Sequence, residues 1–65
     1  MKIKVFIERT NERKVVNANN FNELFKKINI DKNTVIITRK NELITEKARL
    51  NNNDEIKLLS VISGG

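Results

Sequence analysis

The sequence closes on Gly64-Gly65, its only two glycines, directly after an apolar run of Ile56, Leu58, Leu59, Val61 and Ile62. A glycine pair at a chain end has nothing to turn. It offers a free carboxylate on a thin stalk, and without Cβ atoms that stalk can enter a narrow tunnel in any backbone conformation. The side chains offer little competing chemistry. There is no cysteine, which excludes disulfides, thiolate-held zinc, iron–sulfur ligation and thiol nucleophiles. There is no histidine, which removes the commonest general base and the commonest transition-metal ligand. No metal site is expected. Glu46 and Glu55 lack a matched partner and take no acid–base role. Asp54 reads as a turn former rather than a ligand. The expected reactive group is the carboxylate of Gly65, with Gly64 and Ser63 as its flexible tail.

Sixty-five residues make one small domain, and such a domain buries roughly 60% of the surface its unfolded chain exposes. We expect a folded unit over residues 1–62, a tail over 63–65, and no internal cavity for a bound cofactor. The longest uninterrupted apolar runs, Val5-Phe6-Ile7 and Val35-Ile36-Ile37, are three residues each. Neither approaches a membrane span or a signal-peptide core, so a cytoplasmic protein without membrane contact is expected. The net charge is +5, from nine Lys, four Arg, six Glu and two Asp. These cations are dispersed, with no run longer than two, and there is no Trp or Tyr. Phe6, Phe21 and Phe25 sit where a core would use them. Nucleic-acid binding is therefore not expected; the basic surface suits steering toward an acidic protein. The eleven asparagines, with abundant Lys and Ile, read as the codon usage of an AT-rich genome.

The elements that must present the tail follow from periodicity. Lys2 to Glu8 alternates, with Ile3, Val5 and Ile7 on one side and Lys2, Lys4, Phe6 and Glu8 on the other, as in a half-buried strand. A turn at Thr10-Asn11-Glu12 leads into a short returning strand, Lys14 to Asn17. Phe21, Leu24, Phe25 and Ile28 mark one face of a helix over Phe21 to Ile28. Asn20 is its N-cap, and Glu23 completes a capping box. Thr34 to Thr38 is β-branched and predicts a third strand. A tight turn at Lys40-Asn41-Glu42, with Asn41 left-handed, precedes a short strand at Leu43-Ile44-Thr45. Glu46 to Leu50 suggests one helical turn that drops Leu50 into the core. After a turn at Asn51 to Asp54, Glu55 to Ser60 forms the last strand. The first and last strands should lie together at the centre of a mixed sheet. The order ββαβββ, with one helix across one face, is an α+β β-grasp fold. Ile3, Val5, Ile7, Leu24, Phe25, Ile28, Ile56 and Leu58 should make its core.

This pattern, joined to Ser63-Gly64-Gly65 after the last strand, resembles the ubiquitin-like sulfur-carrier family. That family includes the carrier of thiamine thiazole synthesis and the small subunit of molybdopterin synthase. The strongest correspondence covers Asn53 to Gly65, with an acidic turn, an apolar strand and Val-Ile-small-Gly-Gly at the end. A weaker one covers Val35 to Thr45, where the family usually has an Asn-Gly turn and this chain has Asn41-Glu42.

The resemblance implies a carrier, a co-substrate of an activating enzyme, rather than an enzyme, or else the small subunit of a sulfur-transfer enzyme. An activating enzyme would use ATP and magnesium to adenylate Gly65. A sulfur donor such as a cysteine desulfurase or a rhodanese would convert the adenylate to a thiocarboxylate. An acceptor synthase would then take the sulfur into a cofactor, either molybdopterin or the thiazole of thiamine, or into tRNA. The resemblance also places the activating enzyme on the outer sheet face, at Lys57, Leu59, Val61, Ile62 and Ile37. A ubiquitin-like modifier joined through Gly65 to target lysines is the alternative, and a β-grasp binding module with an idle tail is a third.

Overall fold

The computed structural model describes residues 1–61. Ile62, Ser63, Gly64 and Gly65, and the boundary drawn between residues 62 and 63, lie outside the described residues. The elements are β1 (Lys2–Ile7), β2 (Glu12–Asn17), α1 (Phe21–Ile28), a single 3-10 turn (Lys32–Thr34), β3 (Val35–Arg39), β4 (Glu42–Ile44) and β5 (Asp54–Ser60). The five strands form one mixed sheet in the order β2-β1-β5-β3-β4. Only β1 and β5 run parallel, and they pair with Val5 opposite Ile56 and Ile7 opposite Leu58. This is the expected β-grasp, with the first and last strands at its centre.

One face of the sheet is dry. Ile3, Val5, Ile7, Ile37, Ile56 and Leu58 pack against Phe21, Leu24, Phe25 and Ile28 of α1, with Ala18 and Leu50 closing the sides. All twelve are at most 6% exposed, and no polar residue is buried among the described residues. Each large side chain so placed contributes roughly 1.5–3 kcal/mol. Phe6 stands half-buried on the opposite face, as the alternation of β1 predicts, so of the three phenylalanines only Phe21 and Phe25 serve the core.

The helix starts and stops where its sequence says. Asn20 is extended at φ −155°, and its side chain accepts the Glu23 N–H at 2.9 Å. Glu23 reaches back to the Asn19 N–H at 2.8 Å, one residue further than a capping box requires. At the other end Asn29 is left-handed, with φ 58°. The Asn29 N–H bonds the Lys26 carbonyl at 3.3 Å, and the Ile30 N–H bonds the Phe25 carbonyl at 3.2 Å. These are the two bonds of a Schellman motif, completed by Ile30 packing back on the core.

The connections differ more. The first hairpin turns over Glu8 to Asn11, with the Asn11 N–H on the Glu8 carbonyl, so β2 begins two residues before Lys14. The second hairpin pairs Arg39 with Glu42 and leaves only Lys40-Asn41 in its loop. Both loop residues have positive φ, 52° and 65°, the signature of a type I′ turn. The helical turn expected over Glu46 to Leu50 is absent; a bond from the Ala48 N–H to the Thr45 carbonyl makes an ordinary turn there. Five residues cannot offset the cost of helix nucleation alone. Leu50 reaches the core without it, at 5% exposure.

Candidate functional site

The outer face of the sheet, away from the helix, carries the side chains expected to meet a partner. Ile56 and Leu58 of β5 point inward, so Lys57 and Leu59 point outward, and Val61 beyond the strand is 42% exposed. The Val61 N–H donates to the Thr34 carbonyl at 3.1 Å, which ties the last described residue to the start of β3. Lys57 and Leu59 thus share the outer side, as the alternation of β5 predicts, and Val61 is exposed beyond the strand's end. Ile62, Ser63, Gly64 and Gly65 lie outside the described residues.

Ile37 does not belong to this surface. It is 6% exposed on the inner face, between Leu58 and Ile44. Its neighbour Ile36 takes the outer position, 38% exposed and directly opposite Leu59. Two adjacent isoleucines gave no preference between phases. Thr38 carried the missing signal, since a polar residue two positions on marks Ile36 as outward. Further down the sheet, the outward residues of one row are Arg13, Phe6, Lys57, Thr38 and Leu43. The Arg13 guanidinium carbon and the Lys57 Nζ each lie 5.8 Å from the centroid of the Phe6 ring. Thr38 donates from Oγ1 to the Lys57 carbonyl at 3.1 Å, holding that row across β3 and β5.

Asp54 is the turn former it was read to be. Its Oδ2 accepts the Asn51 N–H at 2.8 Å and the Arg39 Nη1 at 3.1 Å, and Arg39 Nη1 also donates to the Arg49 carbonyl at 2.6 Å. This clasp pins the loop before β5 and so sets where that strand begins. Among the described residues no cluster of acidic side chains has the arrangement of a metal site, and no helix is long and apolar enough to cross a membrane. The outer sheet face among the described residues thus carries an apolar pair at Ile36 and Leu59, with Arg13 and Lys57 flanking Phe6 in the next row.

Comparison with known proteins adds three findings. The family model described as ThiS family matches residues 4–65, a span that includes Gly64 and Gly65. Among solved structures, the chain is similar to one in the protein–protein complex of subunits 1 and 2 of molybdopterin-converting factor from Helicobacter pylori 26695. The identity is 23%, 100% of each chain is covered, and the TM-score is 0.77, a likeness of fold. No curated protein matches.

Proposed function

This chain belongs to the ThiS family, and from that membership we propose that it is a sulfur carrier of cofactor biosynthesis whose working group is the carboxylate of Gly65. The observation that carries this reading is the family match running through Gly64-Gly65, at the end of a strand fixed in the centre of the sheet. A carboxylate is a poor electrophile, because it is anionic and its leaving group would be oxide. Attack of its oxygen on the α-phosphorus of ATP releases pyrophosphate and makes a mixed anhydride. A persulfide from a donor such as a cysteine desulfurase or a rhodanese then attacks the carbonyl, and AMP departs. A thiol attacks the donor-side sulfur of the resulting acyl disulfide, forms a new disulfide with the donor cysteine, and expels the thiocarboxylate. The carrier supplies no acid or base, and its activating enzyme brings ATP and magnesium.

Two glycines suit this role, because a Cβ at Gly65 would crowd the attacked carbonyl and one at Gly64 would widen the stalk. Lys57, Leu59, Val61 and Ile62 remain the proposed docking residues for the activating enzyme, with Ile36 in place of Ile37. The Helicobacter pylori likeness is to a protein in a two-subunit complex. By analogy, the acceptor is proposed to be a synthase subunit that takes the same fold as its partner. A cytoplasmic site of action is part of the same proposal.

Intact-mass analysis of protein isolated from its native host tests the reading, with pyrophosphate exchange by the cognate activating enzyme as the second measurement. A mass gain equal to sulfur in exchange for oxygen, localised to Gly65, is the expected result. Gly65 found in isopeptide linkage to lysines would assign a protein modifier instead. Exchange that persists after removal of Gly65 would exclude both.

A further inference from the structure

The helix is too short for the sheet it covers. The eight residues of α1 span about 12 Å, whereas the seven of β5 span about 23 Å. Beyond Ile28 the inner face is left as an open groove, floored by Ile7, Leu58 and Ser60 and walled by Ile28, Ile30 and Val35. Ser60 is half-buried, yet its Oγ is shut off from solvent and has no hydrogen-bond partner among the described residues. A hydroxyl so placed costs free energy until something supplies a partner. The rim carries Arg9, Lys14 and Glu12, a mixed set that selects no charged ligand.

We infer that the chain fills this groove itself: Ile62 seats in it as a plug at the foot of the glycine stalk, and docking of the activating enzyme draws it out. Val61 already lies at the groove. Its N–H bond to the Thr34 carbonyl at 3.1 Å extends the β3–β5 ladder one step beyond the Val35–Ser60 pair, so the strand's alternation still holds there. Ile56, Leu58 and Ser60 are the inward residues of that alternation, and Ile62 is the next in the series. Its apolar side chain suits an apolar floor. The main chain on either side of it passes over Ser60 Oγ and supplies the missing partner. No outside occupant competes on equal terms, because this segment is tethered at the rim and its effective concentration is high. The release step rests on the carrier reading. With Ile62 seated, the three residues after it reach at most about 11 Å, and with Ile62 withdrawn four residues reach about 14 Å.

NMR of the methyl-labelled full-length protein is the test. In the free protein the Ile62 methyls should show Overhauser contacts to those of Ile28 and Val35, and the Ile62 amide should have an order parameter of about 0.85. Adding the cognate activating enzyme without ATP should abolish those contacts. Ile62→Ser should lower Tm by about 4–8 °C. Leu43→Ser removes a side chain of the same size that is 73% exposed, and it should leave Tm within about 2 °C. An Ile62 order parameter below about 0.6 without methyl contacts would overturn the plug, and so would an Ile62→Ser protein that melts with the wild type. Contacts that persist in the enzyme-bound carrier would overturn the release. Failure of the enzyme to bind would overturn the carrier reading and the release together and leave the plug standing, since the free protein alone decides it.

Discussion

Among the described residues, four of the five with positive φ are asparagines, namely Asn11, Asn29, Asn41 and Asn53, and the fifth is Lys40. The left-handed region costs an ordinary L-residue about 1–2 kcal/mol, and asparagine tolerates it better because its short amide bonds locally. With both glycines at the end of the sequence, every left-handed turn in residues 1–61 falls to another residue. Codon usage alone is thus too bland an account of the asparagine content. The glycine-free body was the clue that these asparagines work as turn formers. Asn29→Ala should cost about 1 kcal/mol and lower Tm by about 4–8 °C, while Asn29→Gly should stay within about 0.5 kcal/mol of the wild type. Thermal melts of the pair check this, and equal losses would show that the amide rather than φ matters. At the docking surface, Leu59→Asp should leave Tm within a few degrees, since Leu59 is only partly buried on the outer face. It should weaken binding of the activating enzyme by about 2 kcal/mol, by setting a charge against an apolar partner surface. An unchanged Kd in the folded variant would place the interface elsewhere.

Elements were legible in proportion to how completely their ends are written in side chains. Helix α1 carries a cap, an acidic first turn, an apolar face and a left-handed stop, so its span agrees residue for residue with the expectation. The 3-10 turn at Lys32–Thr34 went unread, although Asp31 caps it by accepting the Asn33 N–H at 2.9 Å. Short turns lack a period, so only that cap could have revealed it. Strand phase was legible where polar residues alternate, as in β1, and ambiguous at Ile36-Ile37, where they do not. The tail chemistry came from resemblance and composition, and it lies beyond the described residues. Phe25 tests the helix–sheet contact directly. It is 6% exposed, with its ring centroid 6.3 Å from that of Phe21. Phe25→Ala should cost about 3–5 kcal/mol in a urea titration, a large share of what a small domain has. An unaltered midpoint would mean that the helix packs by another face.

The whole molecule is closed by its first and last strands. β1 and β5 occupy the middle of the sheet, each paired on both sides, while β2 and β4 form the edges. The strand that leads to the glycine pair is therefore also the strand on which the fold depends. Amide protection should follow that order, slowest to exchange in β1 and β5 and fastest in β4, which has only three residues. Native-state hydrogen exchange reads this directly. Protection greatest in the β3–β4 hairpin would mean that the sheet is assembled around its edge instead.

Parallel neighbours at the two ends of a chain also fix how the protein answers to mechanical force. Pulled apart at Met1 and Val61, β1 and β5 slide along each other, so every rung of their ladder is loaded at once in shear. Pulled at Met1 and Ala18, the antiparallel β1–β2 hairpin opens from its Lys2–Asn17 end one rung at a time. Single-molecule stretching should therefore find a markedly higher rupture force along the first pair of anchors than along the second. A machine that grips this protein by its β5 end and drags will meet the sheet in its strongest direction.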